Sequence, residues 1–496
     1  MADIKSAQAF LDDLPKNDAH KTLMELAEWM ESVAAQTDFK PEHQFEVLRL
    51  LDETAQPYAR KLARDYFTPQ ELNKFQENRL WLVLGNWHTH AANAYSSLFD
   101  RYCKGDKGMA ALRPQLPLLA ARTLHAMTAQ LKYVCVRYGP IDPALWANVA
   151  RHWQHAEQQQ YLDTPLSLYP GLPGDATVKS GLAHLLGWYG CGVSTLNPML
   201  MHLTERIAAQ YCTVMDAGAQ QDADSLFSFD LARPDAPMRV KVGVTMQPST
   251  RFIGMAGLRA KLEALIRTLE KNIVPDELNL GGTYDAGPVH LAALHLLNYV
   301  AEPPLRRGAR RGIRVGMKVV SGFAGMVERT DAGLNFNAEA PAQWEAQDIS
   351  ASGFRAVLPV QAAEGIRIGS LLGVQPEGVA YWGAAVVRRL KRDEANQLHI
   401  GAAMLSRQFD GVTLQASGDG GGFEDGQPAL YLHAQQGEPP GEVRLLMKAE
   451  TFSMQRSLQT RLDGKSYLLI PAGLQEKGGD YDLARFRIIE QEAGEP

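Results

Sequence analysis

Leu305-Arg-Arg-Gly-Ala-Arg-Arg-Gly-Ile-Arg-Val315 and, downstream, Asp348-Ile-Ser-Ala-Ser-Gly-Phe354 are the two stretches whose reading decides how this chain is built. Five arginines and Lys318 lie between Pro304 and Val327 without one carboxylate, in a chain of 496 residues and formal net charge -6. A local excess of one sign against the global balance points to a docked anion. Arg307 and Arg311 are four apart, and so are Arg306 and Arg310, so either pair faces one way on a strand or a helix. Guanidinium forks match phosphate oxygens and also the O6/N7 edge of guanine. Asp348 would repel phosphate but can accept from the N–H groups of a guanine, Ser350 adds a short donor, and Gly353 permits a conformation or close approach that a β-carbon would obstruct. Together they describe an edge suited to a guanine nucleotide.

Outward from these stretches the texture differs on the two sides. Upstream, from about residue 17 to 217, apolar residues recur at helical spacing. Leu23, Leu26, Met30 and Val33 form one face of a helix that Asn17 or Asp18 can cap. A longer helix is expected after Thr68-Pro69, and others over 117–138, 142–160, 177–189 and 196–216. After Asp224 two alternating runs, 226–231 and 238–244, read as a strand pair, followed by helices over 256–272 and 287–300. Pro303-Pro304 ends the last of these. Downstream nearly everything alternates with period two: 313–320, 324–329, 353–358, 379–390, 398–405, 429–434, 442–452, 465–470 and 481–489. Short strands at this spacing indicate small antiparallel barrels, one ending near Arg407 and one from Val412 onward. The acidic, glycine-rich run 417–426 between them reads as a flexible loop.

The expected fold is therefore multidomain α+β. It comprises a helical domain (1–222), a mixed α/β segment (223–303), a β-barrel (304–407) and a second small β-domain (408–496).

Arg307-x-x-x-Arg311 followed by Asp348-x-Ser350-x-x-Gly353 resembles the paired signature of PilZ domains, small β-barrels that bind the bacterial messenger cyclic di-GMP. The resemblance covers roughly 305–407, including Tyr381-Trp-Gly-Ala-Ala-Val-Val-Arg-Arg389 and Leu398-His-Ile-Gly-Ala-Ala-Met-Leu405 as later barrel strands. It implies that the arginines lie on the linker leading to the barrel and close over the ligand, that the Asp-Ser-Gly turn meets a guanine, and that binding changes how the barrel sits against its neighbour. The implied ligand-binding residues are Arg307, Arg311, Asp348, Ser350 and Gly353, with Arg306 and Arg310 as the alternative register. Two departures are visible: Ser352 stands where the family often has a second glycine, and the spacing from Arg311 to Asp348 is a little long.

Other features exclude more than they suggest. A pI near 6.1 argues against a general nucleic-acid or anionic-membrane binder. Cys103, Cys135, Cys191 and Cys212 are widely spaced and read as buried apolar residues of a reducing compartment. With neither a signal-peptide pattern at the N-terminus nor an eighteen-residue apolar run, the expected location is the cytoplasm, without membrane insertion. His88-Thr-His90 and His152-x-x-His155 have metal-ligand spacings but lack the accompanying Glu or Cys, so no metal and no cofactor are expected. No dinucleotide-binding, P-loop or nucleophile-elbow pattern is present, and Trp146, Trp153, Trp188 and Tyr189 fall on helix faces that read as core. The expectation is a non-enzymatic signalling effector, its helical domain facing an unidentified protein partner in motility, secretion or exopolysaccharide control. The other reading is a scaffold that keeps the barrel fold without the ligand.

Overall fold

A computed structural model describes residues 4–68, 72–241, 247–301, 312, 314–330, 340–350, 352–416, 426–434 and 439–491. The chain divides into two compact units, Met1–Pro304 and Leu305–Pro496.

The first unit opens with eight helices: α1 (Ile4–Asp12), α2 (Ala19–Ala34), α3 (Pro41–Phe67), α4 (Lys74–Lys104), α5 (Leu116–Cys135), α6 (Pro143–Gln158), α7 (Val178–Gly190) and α8 (Pro198–Gln210). Asp18 caps α2 through a 3.0 Å bond from the Lys21 N–H. The helix expected after Thr68-Pro69 starts later. Thr68 closes α3, donating its N–H to the Arg64 carbonyl, and α4 begins under a reciprocal capping box of Asn73 and Gln76. A four-stranded sheet follows, in the order β1 (Asp216–Gly218), β4 (Thr250–Gly254), β2 (Ser225–Asp230), β3 (Met238–Arg239), and then α9 (Ala256–Leu269) and α10 (Ala286–Ala301). The expected pair is present as β2 and β3, but β4 lies between β1 and β2, and residues 242–246 of the second run lie outside the described residues. One apolar core runs from Ala7 to Leu296 and takes in Trp146, Trp153 and Trp188. Cys135 and Cys191 are buried in it and Cys212 is half-buried. Cys103, expected to be buried, is exposed near the end of α4.

The second unit contains two closed six-stranded antiparallel barrels. The first is built from β5 (Val315–Ser321), β6 (Ala342–Ser350), β7 (Gly353–Pro359), β8 (Leu371–Pro376), β9 (Gly383–Arg392) and β10 (Gln397–Ser406), in the circular order β10-β7-β6-β5-β8-β9. The second uses β11 (Phe409–Ala416), β12 (Gln427–Leu432), β13 (Glu442–Lys448), β14 (Leu458–Leu462), β15 (Lys465–Lys477) and β16 (Tyr481–Gln491), in the order β11-β12-β13-β16-β15-β14. Closure leaves neither barrel with a free sheet edge. The run read as a strand over 324–329 is instead a short helix, α11 (Gly322–Val327). Phe323, Met326 and Val327 are its buried residues, spaced i, i+3 and i+4, and the Phe323 N–H is held by Asp480 Oδ2 at 2.6 Å. The glycine-rich run 417–425 lies outside the described residues.

The barrels share a wall. The first five residues of β9 are all buried, where a strand with one solvated face would alternate. Ala384 and Val386 join Phe323, Phe409, Leu430 and Tyr481 in a core between the barrels, while alternation turns Ala385 and Val387 to the opposite face of the sheet.

Candidate functional site

Asp348 and Ser350 are alternate residues near the end of β6 and share a face of the strand. β7 begins at Gly353, which is paired opposite Ser350. Ser350 Oγ donates to the Gly353 carbonyl at 3.0 Å and lies 3.2 Å from Ser352 Oγ, so the hairpin is fastened by its own hydroxyl. Ser352 also carries structural weight: its carbonyl accepts the Met404 N–H at 3.0 Å, tying the hairpin to β10. Gly353 serves close approach rather than a left-handed turn, because a β-carbon there would overlap the Ala402 carbonyl of β10. The register between β6 and β7 shifts between Ala346 and Asp348, a bulge at the start of the motif.

This hairpin stands at the mouth of the first barrel, beside a cavity of about 570 Å³. Ser350 and Gly353 are in its wall, with Val315 of β5, Phe354 of β7, Val374 of β8 and Met404 of β10. Tyr381, about half exposed, and Arg407 contribute from the loops. The walls are mostly apolar, suited to the flat face of a ring, with polar groups confined to the rim. Asp348 is not in the wall. Its carboxylate is mostly buried and lies 3.3 Å from the Arg355 guanidinium on β7.

Of the residues picked from sequence, Ser350 and Gly353 come together on the cavity and Asp348 sits one alternation away. Arg306, Arg307, Arg310 and Arg311 lie outside the described residues, as does the Pro303-Pro304 pair. Val315, four residues after Arg311, is in the cavity wall, and antiparallel pairing of Val315 with Ala346 puts the start of β5 at the Ser350 end of β6. Tyr381 and Met404 belong to stretches that sequence reads only as later barrel strands, Arg407 to none, and barrel closure is what brings all three to the mouth.

Of the paired histidines, His152 and His155 are packing groups. His152 is buried and stacks on Phe99 at 4.0 Å, and His155 Nδ1 is 2.8 Å from the Tyr161 hydroxyl. Among the described residues no three His, Cys, Asp or Glu side chains gather as metal ligands, and no helix is long and apolar enough to cross a membrane.

No curated protein and no solved structure matches the chain. Residues 5–217, the helical part of the first unit, match the family model described as cyclic-di-GMP receptor FimW, N-terminal domain, so by sequence this part of the chain is similar to a domain of a cyclic-di-GMP receptor.

Proposed function

We propose that this protein is a cyclic di-GMP receptor whose nucleotide site is the mouth of the first barrel. The observation that carries the reading is the gathering of Asp348, Ser350 and Gly353 on one hairpin at the rim of a cavity of about 570 Å³. The similarity of residues 5–217 to a cyclic-di-GMP receptor domain supports the same ligand independently of that motif. The cavity volume is within the usual range of roughly 300–1,000 Å³ for small-molecule sites, and its apolar wall can accept a base face. Asp348 would accept from the guanine N–H groups, sharing or giving up its contact with Arg355. Ser350 would donate at the rim, and the arginines before β5 would take the phosphates, Arg307 with Arg311 being the preferred pair.

On this reading the protein is a cytoplasmic effector without enzymatic activity. Its helical part carries the output to a protein partner in motility, secretion or exopolysaccharide control. Domain order and the resemblance to PilZ proteins support that assignment. The ion pair of Asp348 with Arg355 favours a second reading, a scaffold whose acidic acceptor is already satisfied.

Titration calorimetry of the full chain with cyclic di-GMP separates the two. A receptor binds in the micromolar range or tighter, and Arg311→Ala weakens it by about 1.5–3 kcal/mol, roughly tenfold or more. Absence of heat at tens of micromolar ligand would leave the scaffold.

A further inference from the structure

The helical part of the first unit encloses a second cavity, of about 210 Å³, between α3, α4, α5, α7 and α8. At its inner end Lys132 of α5, 7% exposed, donates from Nζ to Glu205 Oε2 of α8 at 2.6 Å and lies 3.4 Å from His202 Nδ1. The His202 tautomer follows from its other side: Nε2 is 2.8 Å from the Leu280 carbonyl, which can only accept, so Nε2 carries the proton and Nδ1 is free to accept from the ammonium. His184 Nε2 is 3.3 Å from the second oxygen of Glu205. An ammonium has three N–H groups; these hydrogen bonds use two, the ammonium also lies 5.6 Å from the centre of the Phe67 ring, and Lys132 forms part of the cavity wall.

The charge around this cavity does not balance. Arg60, Arg64 and Arg206 line it along with Lys132, against the single carboxylate of Glu205. Arg206 is engaged by the Asn279 carbonyl at 3.0 Å and lies 3.9 Å from Glu205, and Arg64 lies 4.0 Å from Asp65, while Arg60 makes no ion pair among the described residues. Two imidazoles in the wall are also uncommitted. His88 stacks on Tyr133 and His125 meets Tyr169 edge-on, both at 5.4 Å, and among the described residues their ring nitrogens make no hydrogen bond. Burial holds both down to about 3, so at neutral pH each ring offers one donor and one acceptor. A cavity kept only for stability would be expected to fill with apolar side chains and to match its charges.

We propose that this cavity is a binding site for a small, multiply charged oxyanion, a dicarboxylate or a small phosphate. The third N–H of Lys132 and the His88 and His125 rings would meet it inside, with Arg60 and Arg64 at the rim. At about 210 Å³ the space is below the range of drug-sized pockets and far too small for a dinucleotide, so this ligand is distinct from the one proposed at the barrel mouth.

Calorimetry and thermal shift on the full chain test it, with malonate and inorganic phosphate as probes and chloride at matched ionic strength as control. At least one probe should bind with a Kd of about 1 mM or tighter and raise the Tm, while chloride does neither. Arg60→Ala/Arg64→Ala, both exposed positions on α3, should weaken binding about tenfold with the ligand-free Tm unchanged. Lys132→Met should abolish it, and Arg311→Ala should leave it intact. The proposal is overturned if neither probe binds up to about 10 mM, if chloride reproduces the effect, if the Arg60/Arg64 variant binds like the parent, or if Arg311→Ala removes the binding.

Discussion

Arg388 on β9 of the first barrel and Glu476 on β15 of the second form a two-pronged ion pair, with Nη1 2.7 Å from Oε1, and Tyr481 donates its hydroxyl to the same carboxylate oxygen at 2.8 Å. The pair closes one side of the wall that Ala384, Val386, Phe323 and Tyr481 fill. Arg388 remains 44% exposed, so solvent screening keeps its contribution at the low end, about 1 kcal/mol or less. Glu476→Ala is therefore expected to lower overall stability only slightly while raising hydrogen exchange in β9 and β15, measured amide by amide. Unchanged protection in both strands would show that the apolar wall alone holds the barrels together.

Acid should act on the same contact. Burial disfavours the charged form of Glu476, but the hydrogen bond and charge of Arg388 outweigh it and hold the carboxyl below its ordinary value of 4.5. A lowered carboxylate contributes stability that is complete above the unfolded value and is lost as pH falls through the folded one. The stability difference between the parent and Glu476→Gln should be present at neutral pH and shrink below about pH 4.5, read from urea unfolding at a series of pH values.

Gly353→Ala is a sharper perturbation. The added methyl meets a backbone carbonyl of β10, which can move only by shifting the pairing of β7 with β10. A cost of about 1–3 kcal/mol is expected, together with loss of cyclic di-GMP binding at the distorted mouth. Chemical denaturation gives the first and calorimetry the second.

Ser350→Ala should separate fold from binding. Its hydroxyl makes one hydrogen bond to the protein backbone, at a part-buried position, so stability should fall by only about 0.5–1.5 kcal/mol. A nucleotide affinity that drops about tenfold beside so small a stability change would mark the hydroxyl as a ligand contact. Equal affinity would confine its role to fastening the hairpin.

In the helical part, Arg122 is buried at 1% exposure between Asp52 at 3.0 Å and Glu53 at 2.6 Å, and Tyr95 and Tyr169 also donate to Asp52. Arg122→Met leaves a buried carboxylate without its counter-charge and should cost about 3–5 kcal/mol. Adding Asp52→Asn should recover part of that loss, which a double-mutant cycle by urea denaturation would show.

The sequence makes some of these elements plain and hides others for identifiable reasons. β10 alternates through its first six residues, and α2 and α9 keep an apolar stripe, so periodicity finds them. β8 escapes because Leu371, Leu372, Gly373 and Val374 are all buried and show no alternation. β6 escapes because its inward positions include Ala346 and its exposed ones are polar, so only Trp344 and Ile349 stand out. α11 reads as a strand because six residues are too few to distinguish the two periods. The Asp-Ser-Gly half of the candidate site is local and therefore legible. The cavity wall is not, since Val315, Val374 and Met404 meet only through the closure of the barrel. The Lys132–Glu205 cluster is hidden in the same way, its members drawn from separate helices with no shared spacing.

The shared wall at β9 has a consequence for how such a protein can be inherited. Gly383–Val387 must satisfy two interiors at once, so a substitution there answers to neighbours in both barrels. Cut after Arg407, the first barrel would carry Phe323, Ala384 and Val386 to the outside as an adhesive face. Gene rearrangement can therefore shuffle the two barrels as a pair far more readily than either alone, and the second barrel travels with the first whether or not it ever touches a ligand.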